Sequence, residues 1–312
     1  MDYVIAGNVM VDSVRFQDGT TSDRKNMGGP SAFAYSGVRV WTDSAKLVCN
    51  VGADFHLYFD KWVEKNRVDM SGIKVKCDYC NHSYLVYYEN GTYGQDDRAE
   101  HFRSDWQQDL GYMKTTPEEI GEHTQNKHVK GVYLAQNVDH VFWTKLNAVK
   151  NRDKFRMMWE IEAPSAYKRY MDAVLYAMES VDVFSINLQE AQNLFEAETE
   201  EECIREIQKL PVDCTLFRVG KKGAYSVTPT EKIFIPSITF DSETDPTGCG
   251  NTSTGAALYA YCEGYDALHI GVMANVASAL NVRQFGIIPD FASVREMALH
   301  KTEEVCSRLS NR

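Results

Sequence analysis

Gly248, Cys249 and Gly250 stand in the run DPTGCGN (245–251), which leads directly into the apolar-striped stretch TSTGAALYAYCEG. Glycines let a main chain approach a ligand closely and take up angles that other residues avoid. A helix starting at such a turn directs its unpaired N–H groups and positive dipole end at whatever sits there. A transferring phosphoryl group, negative and planar, suits that location. A plain strand-to-helix turn also favours glycine, so this run alone leaves the two readings even.

Other stretches carry residues with chemical potential. Gly28 and Gly29 precede SAFAYSGV and again allow close backbone approach. Asp12 follows the first apolar run, near where open α/β sheets bind ligands, although a lone aspartate there is more often a turn or cap residue. Asn187 and Glu190 in NLQEA end a β-rich run, where their oxygens could serve a hydrated magnesium ion; an Asn N-cap with Glu in the first turn fits equally. Gly220 and Gly223 frame a tight turn, GKKG, at another strand end. Neither GxxxxGK[ST] nor a GxGxxG after the first strand occurs, which weakens P-loop and dinucleotide readings. Cys77 and Cys80, followed by His82, make half a zinc knuckle, and no second pair completes four ligands. His56, His101 and His123 have no partner spacing and read as surface residues.

The elements that must position these groups alternate. YVIAGNV (3–9), AKLVCNVG (45–52), GVYLAQN (131–137), FRMMWEIE (155–162), VDVFSIN (181–187) and CTLFRVG (214–220) read as buried strands, with helical runs between them. One such run carries a capping-box spacing, Thr199 to Glu202, and a stripe of Cys203, Ile207 and Leu210. This pattern predicts an α/β fold with a mostly parallel sheet covered on both faces. Residues 12–27 and 77–104 break it with turn residues and two-residue alternation, including Tyr84, Tyr87, Tyr88 and Tyr93. They read as antiparallel hairpins that pair into a small lid. Gly264 and Gly286 mark expected helix ends. Without a low-complexity linker or repeat, 1–312 reads as one domain with a lid.

Composition bounds the partners. The chain of 312 residues is 44% hydrophobic, enough for a substantial core, and its 33 basic and 44 acidic residues leave a net charge of −11. That balance argues against nucleic acid or an anionic membrane as the main partner. No apolar run approaches the roughly 18 residues of a spanning helix, and the start lacks a basic n-region. Eight scattered cysteines suit reduced thiols in a cytoplasm.

Taken in order, VIAGNVMVD, GGPSAFA, CNVGADF, VFSINLQEA, FRVGKKGAYSV, DPTGCGN and ANVASALNV resemble the PfkB, or ribokinase-like, family of carbohydrate and nucleoside kinases, across about residues 1–285. The resemblance implies a parallel sheet between helices plus a β-lid. It also implies transfer of the terminal phosphoryl of ATP to a small acceptor, with Mg2+ and in some members a monovalent cation such as K+. It places Asp12, Gly28 and Gly29 at substrate hydroxyls, and Asn187 and Glu190 in the NxxE element that organises magnesium and phosphates. Gly220 and Gly223 then border the nucleotide, Asn275 lines the adenine pocket, and Gly248, Cys249 and Gly250 form the anion hole. Lids of this family often pair between subunits, which implies a homodimer.

Two departures stand out. The family signature ends in an aspartate that deprotonates the acceptor; here it is Asn251. The asparagine that bonds sugar hydroxyls after the glycine pair is here Phe33. An amide is no base at neutral pH, but general-base help is worth about 10²–10⁴ in rate, and positioning dominates phosphoryl transfer. The expectation is therefore an ATP-dependent phosphotransferase acting on a hydroxyl or acidic group of a carbohydrate- or nucleoside-like metabolite, with Asp12 or Asp245 as substitute bases. The alternatives are a non-catalytic ligand-binding protein of the same fold and a base-to-amide variant of an ordinary sugar kinase.

Overall fold

A computed structural model describes residues 1–22, 25–88, 93–95 and 111–310. In chain order its strands are β1 (Tyr3–Ala6), β2 (Met10–Phe16), β3 (Asn26–Gly28), β4 (Ala45–Gly52), β5 (Ile73–Cys77), β6 (His82–Tyr87), β7 (Tyr93–Gln95), β8 (Gly131–Gln136), β9 (Arg156–Ile161), β10 (Val183–Asn187), β11 (Cys214–Arg218), β12 (Gly223–Val227) and β13 (Lys232–Pro236). The α-helices are α1 (Pro30–Arg39), α2 (Asp54–Lys65), α3 (Pro117–Thr124), α4 (His140–Asp153), α5 (Met171–Met178), α6 (Leu188–Phe195), α7 (Glu200–Ile207), α8 (Cys249–Cys262), α9 (Ala267–Asn281) and α10 (Phe291–Ser310).

Among the described residues a nine-stranded sheet runs β13-β12-β11-β10-β9-β8-β1-β4-β5. All neighbours from β11 to β5 pair in parallel, and only β12 runs against the rest. The continuous apolar character of these strands follows from helices on both faces. Alternation along β1 shows it: Tyr3 and Ile5 face a core shared with α1, α2, α8, α9 and α10. Val4 and Ala6 face a second core shared with α3 to α7. Trp143, Trp159 and Phe184 meet in series within that second core, the first pair edge-on and the second tilted.

On the first face α1 and α8 meet backbone to backbone. A methyl on Gly37 would lie 2.0 Å from the Thr252 carbonyl oxygen, and one on Gly255 would lie 2.0 Å from that of Ala34. No side chain larger than hydrogen fits at either place. The helix carrying Phe33 is thereby set directly against the helix that begins at the glycine turn.

A second, four-stranded sheet has the order β3-β2-β6-β7. Strand β2 is antiparallel to β3, and β6 is antiparallel to β7. The two hairpins join through a parallel β2–β6 pairing from Val11↔His82 to Phe16↔Tyr87. The expected hairpin 77–104 extends into residues 89–92 and 96–104, which lie outside the described residues. Val14, Leu85, Tyr87 and Phe16 pack with Phe285 as a small cluster of their own.

Several local expectations change. The helical run expected over 166–179 opens with a 3-10 turn at 168–170 and becomes α5 only from Met171. Strand β5 and helix α3 have no counterpart in the expected pattern. Gly264 (φ 81°) does follow the end of α8, whereas α9 stops at Asn281, before Gly286 is reached. His123, expected at the surface, is buried, and desolvation lowers its pKa. His56 is exposed beside Asp60, and His101 lies outside the described residues. No described helix is long and apolar enough to cross a membrane.

Candidate active site

Helix α8 begins without a side-chain cap, as α1, α2 and α5 also do. Its N-cap is Gly248 at φ 74°, with no side-chain cap and no acidic residue in the first turn. By contrast α3, α6 and α7 each start with a reciprocal capping box, and α4 and α9 with a capping aspartate. The Cys249 amide already donates to the Pro246 carbonyl (3.2 Å), and the helical bonds begin with Thr252 N to Gly248 O (2.8 Å). Among the described residues, the turn amides left without a hydrogen-bond acceptor are those of Gly248, Gly250 and Asn251. Of the three expected anion-hole donors, Cys249 is spent within the turn while the Gly248 and Gly250 amides stay free, and the Asn251 main-chain N–H joins them.

Gly250 lines a cavity of about 630 Å³ at the carboxyl ends of β10 and β11, within the usual size for small-molecule sites. Of the expected site residues, Asn187, Gly220, Gly223, Cys249, Gly250 and Asn275 lie on its wall, with Arg218, Lys221 and Asp245. Asn275 is held by donating to the carbonyls of Ile235 (3.0 Å) and Pro236 (3.2 Å). Gly223 (φ 130°) has no room for a side chain, since a methyl there would meet the Ile235 carbonyl at 2.1 Å. The Cys249 thiol donates to the Ser278 carbonyl, and burial pushes its pKa up to about 11, so it is no nucleophile.

Asn187 and Glu190 satisfy each other. Glu190 N donates to Asn187 Oδ1 (2.9 Å), and Asn187 N donates to Glu190 Oε2 (2.9 Å). Burial raises the Glu190 pKa, opposed by the Arg218 guanidinium and the Asn187 amide. This pair forms the capping box that the spacing allowed. Among the described residues no group of three His, Cys, Asp or Glu side chains could hold a metal ion. That includes the half-knuckle: the Cys80 amide and His82 Nε2 both bond Asp54, at 2.7 Å each.

The acceptor-side residues lie deeper. Phe33 is 2% exposed and belongs to the first core; a methyl on Gly248 would strike its ring carbons at 2.1–2.3 Å. The phenyl ring, expected against substrate, is instead seated on the bare face of the glycine turn. Asp12 lies over Gly28, where a methyl would meet Asp12 Oδ2 at 1.6 Å. Burial, then the neighbouring Asp245 charge, raise its pKa to about 7 against the pull of Ser83. Gly29 (φ 90°) turns the chain into α1 with no space for a side chain beside the Asn8 carbonyl.

Asp245 is fully buried, and desolvation raises its pKa against the Thr247 hydroxyl and the amides of Thr247 and Gly286. Its Oδ1 accepts from the Thr247 amide (2.9 Å) and hydroxyl (2.6 Å). The same hydroxyl meets Tyr87 Oη of the second sheet at 2.8 Å. Phe16, Tyr87 and Tyr88 bring that sheet to the cavity wall.

Sequence reasoning missed a polar belt under α8. Tyr133 Oη donates to Glu160 Oε2 (2.7 Å), and Arg218 Nη2 pairs with Glu160 Oε1 (2.9 Å). Burial raises the Tyr133 pKa, and the Asn251 side chain is among the groups that lower it. The Asn251 amide therefore belongs to this belt. The available signal was a lone glutamate and a lone arginine inside otherwise apolar strands, MMWEI and CTLFRVG, each of which demands a partner.

Solved structures of the same architecture cover almost the entire chain. A nucleoside kinase from Burkholderia thailandensis in complex with ADP and inosine matches with a TM-score of 0.74 at 16% identity, over 97% of this chain and 95% of that one. Ribokinase from Arabidopsis thaliana complexed with ribose and ATP matches at 0.69 and 17%, over 96% and 98%. A ribokinase II candidate from E. coli in complex with ATP and Mg2+ matches at 0.71 and 18%, over 96% and 98%. These likenesses establish the ribokinase-like α/β fold. No curated protein matches the sequence significantly. The profile described as pfkB family carbohydrate kinase matches residues 2–293, and the chain belongs to that family.

Proposed function

We propose that the protein is an ATP-dependent phosphotransferase acting on a hydroxyl or acidic group of a small carbohydrate- or nucleoside-like metabolite. The observation that carries this reading is the uncapped start of α8: free amides at Gly248, Gly250 and Asn251, with Gly250 and Arg218 on the wall of one cavity. Neighbours of this fold bind ATP with Mg2+, ribose or inosine, and the cavity residues fit a nucleotide. Gly220, Gly223 and Asn275 would border it, and the free amides would hold its phosphates. ATP would supply the phosphoryl group. Mg2+ would enter on the phosphates with its own waters, since Glu190 is already shared between the Asn187 amide and Arg218.

Proton removal falls to a carboxylate other than residue 251. Asp245 lies on the cavity wall, and Asp12, with a pKa near 7, is poised to exchange a proton at neutral pH. The second sheet, through Phe16, Tyr87 and Tyr88, acts as the lid of this cavity. A second reading, a ligand-binding protein without turnover, draws support from the Asn251 side chain lying with Tyr133. Incubation with ATP, Mg2+ and a panel of sugars, nucleosides and acidic metabolites separates the two. The phosphotransferase reading requires ADP formation above a Gly248→Asp control. Nucleotide binding with no turnover across the panel would favour the second.

A further inference from the structure

From the packing beneath α8 we infer that Arg218 grips the outermost phosphate of the nucleotide, a role that rests on the phosphotransferase reading. Arg218 ends β11, opposite Asn187 in the sheet register, and its side chain is 16% exposed. Both of its ion pairs, to Glu160 Oε1 at 2.9 Å and to Glu190 Oε2 at 3.9 Å, use Nη2. Nη1 points the other way: a methyl on Gly250 would lie 2.1 Å from it, so the guanidinium rests against the turn that bears the free amides. Nε is buried with no hydrogen-bond partner among the described residues.

Nη1 is thus left for a third party, and the fork is fixed in place by carboxylates on the Nη2 side. An arginine offers planar, paired donors that match phosphate oxygens. The other cation on the wall, Lys221, is exposed. Its flexible stem gives it no comparable fix. A purely structural Arg218, there to neutralise Glu160, would have no reason to present Nη1 to the anion turn.

The two roles differ in what they do to nucleotide choice. Titration calorimetry with Mg2+·ADP and with the non-hydrolysable Mg2+·AMP-PNP reads this directly. For Arg218→Gln, AMP-PNP affinity should fall about tenfold or more, while ADP affinity changes less than about threefold. Arg218→Lys should fall between wild type and Arg218→Gln. Because removing the arginine leaves Glu160 unpaired, the pair Arg218→Gln/Glu160→Gln supplies a folded background with the same prediction. Equal weakening of both nucleotides, or of neither, in a folded variant overturns the inference while the phosphotransferase reading stands. Wild type that binds neither nucleotide overturns both.

Discussion

Asp12 is a buried acid whose environment makes a measurable demand on pH. Its carboxyl has an ordinary value of 3.8 and is raised to about 7 by burial and then by the charge of Asp245. The unfolded chain releases this proton near pH 4, whereas the folded chain keeps it until about pH 7. Between these values the folded state binds the extra proton, so stability falls as pH rises, and the loss is complete above pH 7. A shift of about three pKa units at about 1.4 kcal/mol each sets the loss at roughly 4 kcal/mol. Asp12→Asn mimics the protonated acid and can still accept the Ser83 hydrogen bond. The variant should match wild type near pH 4, gain about 1.5 kcal/mol at pH 5, and gain up to about 4 kcal/mol at pH 8. Urea unfolding followed by tryptophan fluorescence at pH 5, 6.5 and 8 measures the difference. A wild-type-to-variant gap that stays constant over this range would refute the argument that Asp12 is held neutral by its surroundings.

Gly248→Ala should cost about 1–2 kcal/mol for its left-handed backbone and a further 1–3 kcal/mol for driving a methyl into the Phe33 ring. Chemical denaturation checks the sum, and Phe33→Leu in the same chain should return part of the second share; strict additivity would deny the contact. Asn251→Asp adds a carboxylate to a belt that already holds Glu160, so it should lower stability at pH 8 more than at pH 5 and leave sugar phosphorylation unimproved. A hundredfold gain in ribose phosphorylation would instead identify residue 251 as a lost base facing the acceptor.

What could be read in the sequence was local. Thr199 and Glu202 form the expected capping box because all its partners lie within four residues. The glycine turn was visible for the same reason. The Tyr133–Glu160–Arg218 belt was not, because its members sit on β8, β9 and β11, and strand order is absent from a linear pattern. Phe33 shows a second kind of failure. Its place after the glycine pair suggested a substrate contact, but the missing side chain at Gly248 leaves a hollow that an aromatic ring fills. Asn187 and Glu190 were legible as a pair at the correct spacing, and the observed reciprocal bonds show the capping role the spacing allowed.

The glycine contact between α1 and α8 limits how this protein can change its diet. With no side chains between the two backbones at Gly37 and Gly255, neither helix can roll or slide without collision. The floor under the reacting groups is consequently stiff, and enlarging it would mean prising apart two main chains. On the proposed function, adaptation to a new acceptor would come from the facing wall, through residues such as Phe16, Tyr87 and Tyr88, of which Tyr87 meets the Thr247 hydroxyl. Selection for new chemistry would therefore rewrite the roof and spare the foundations.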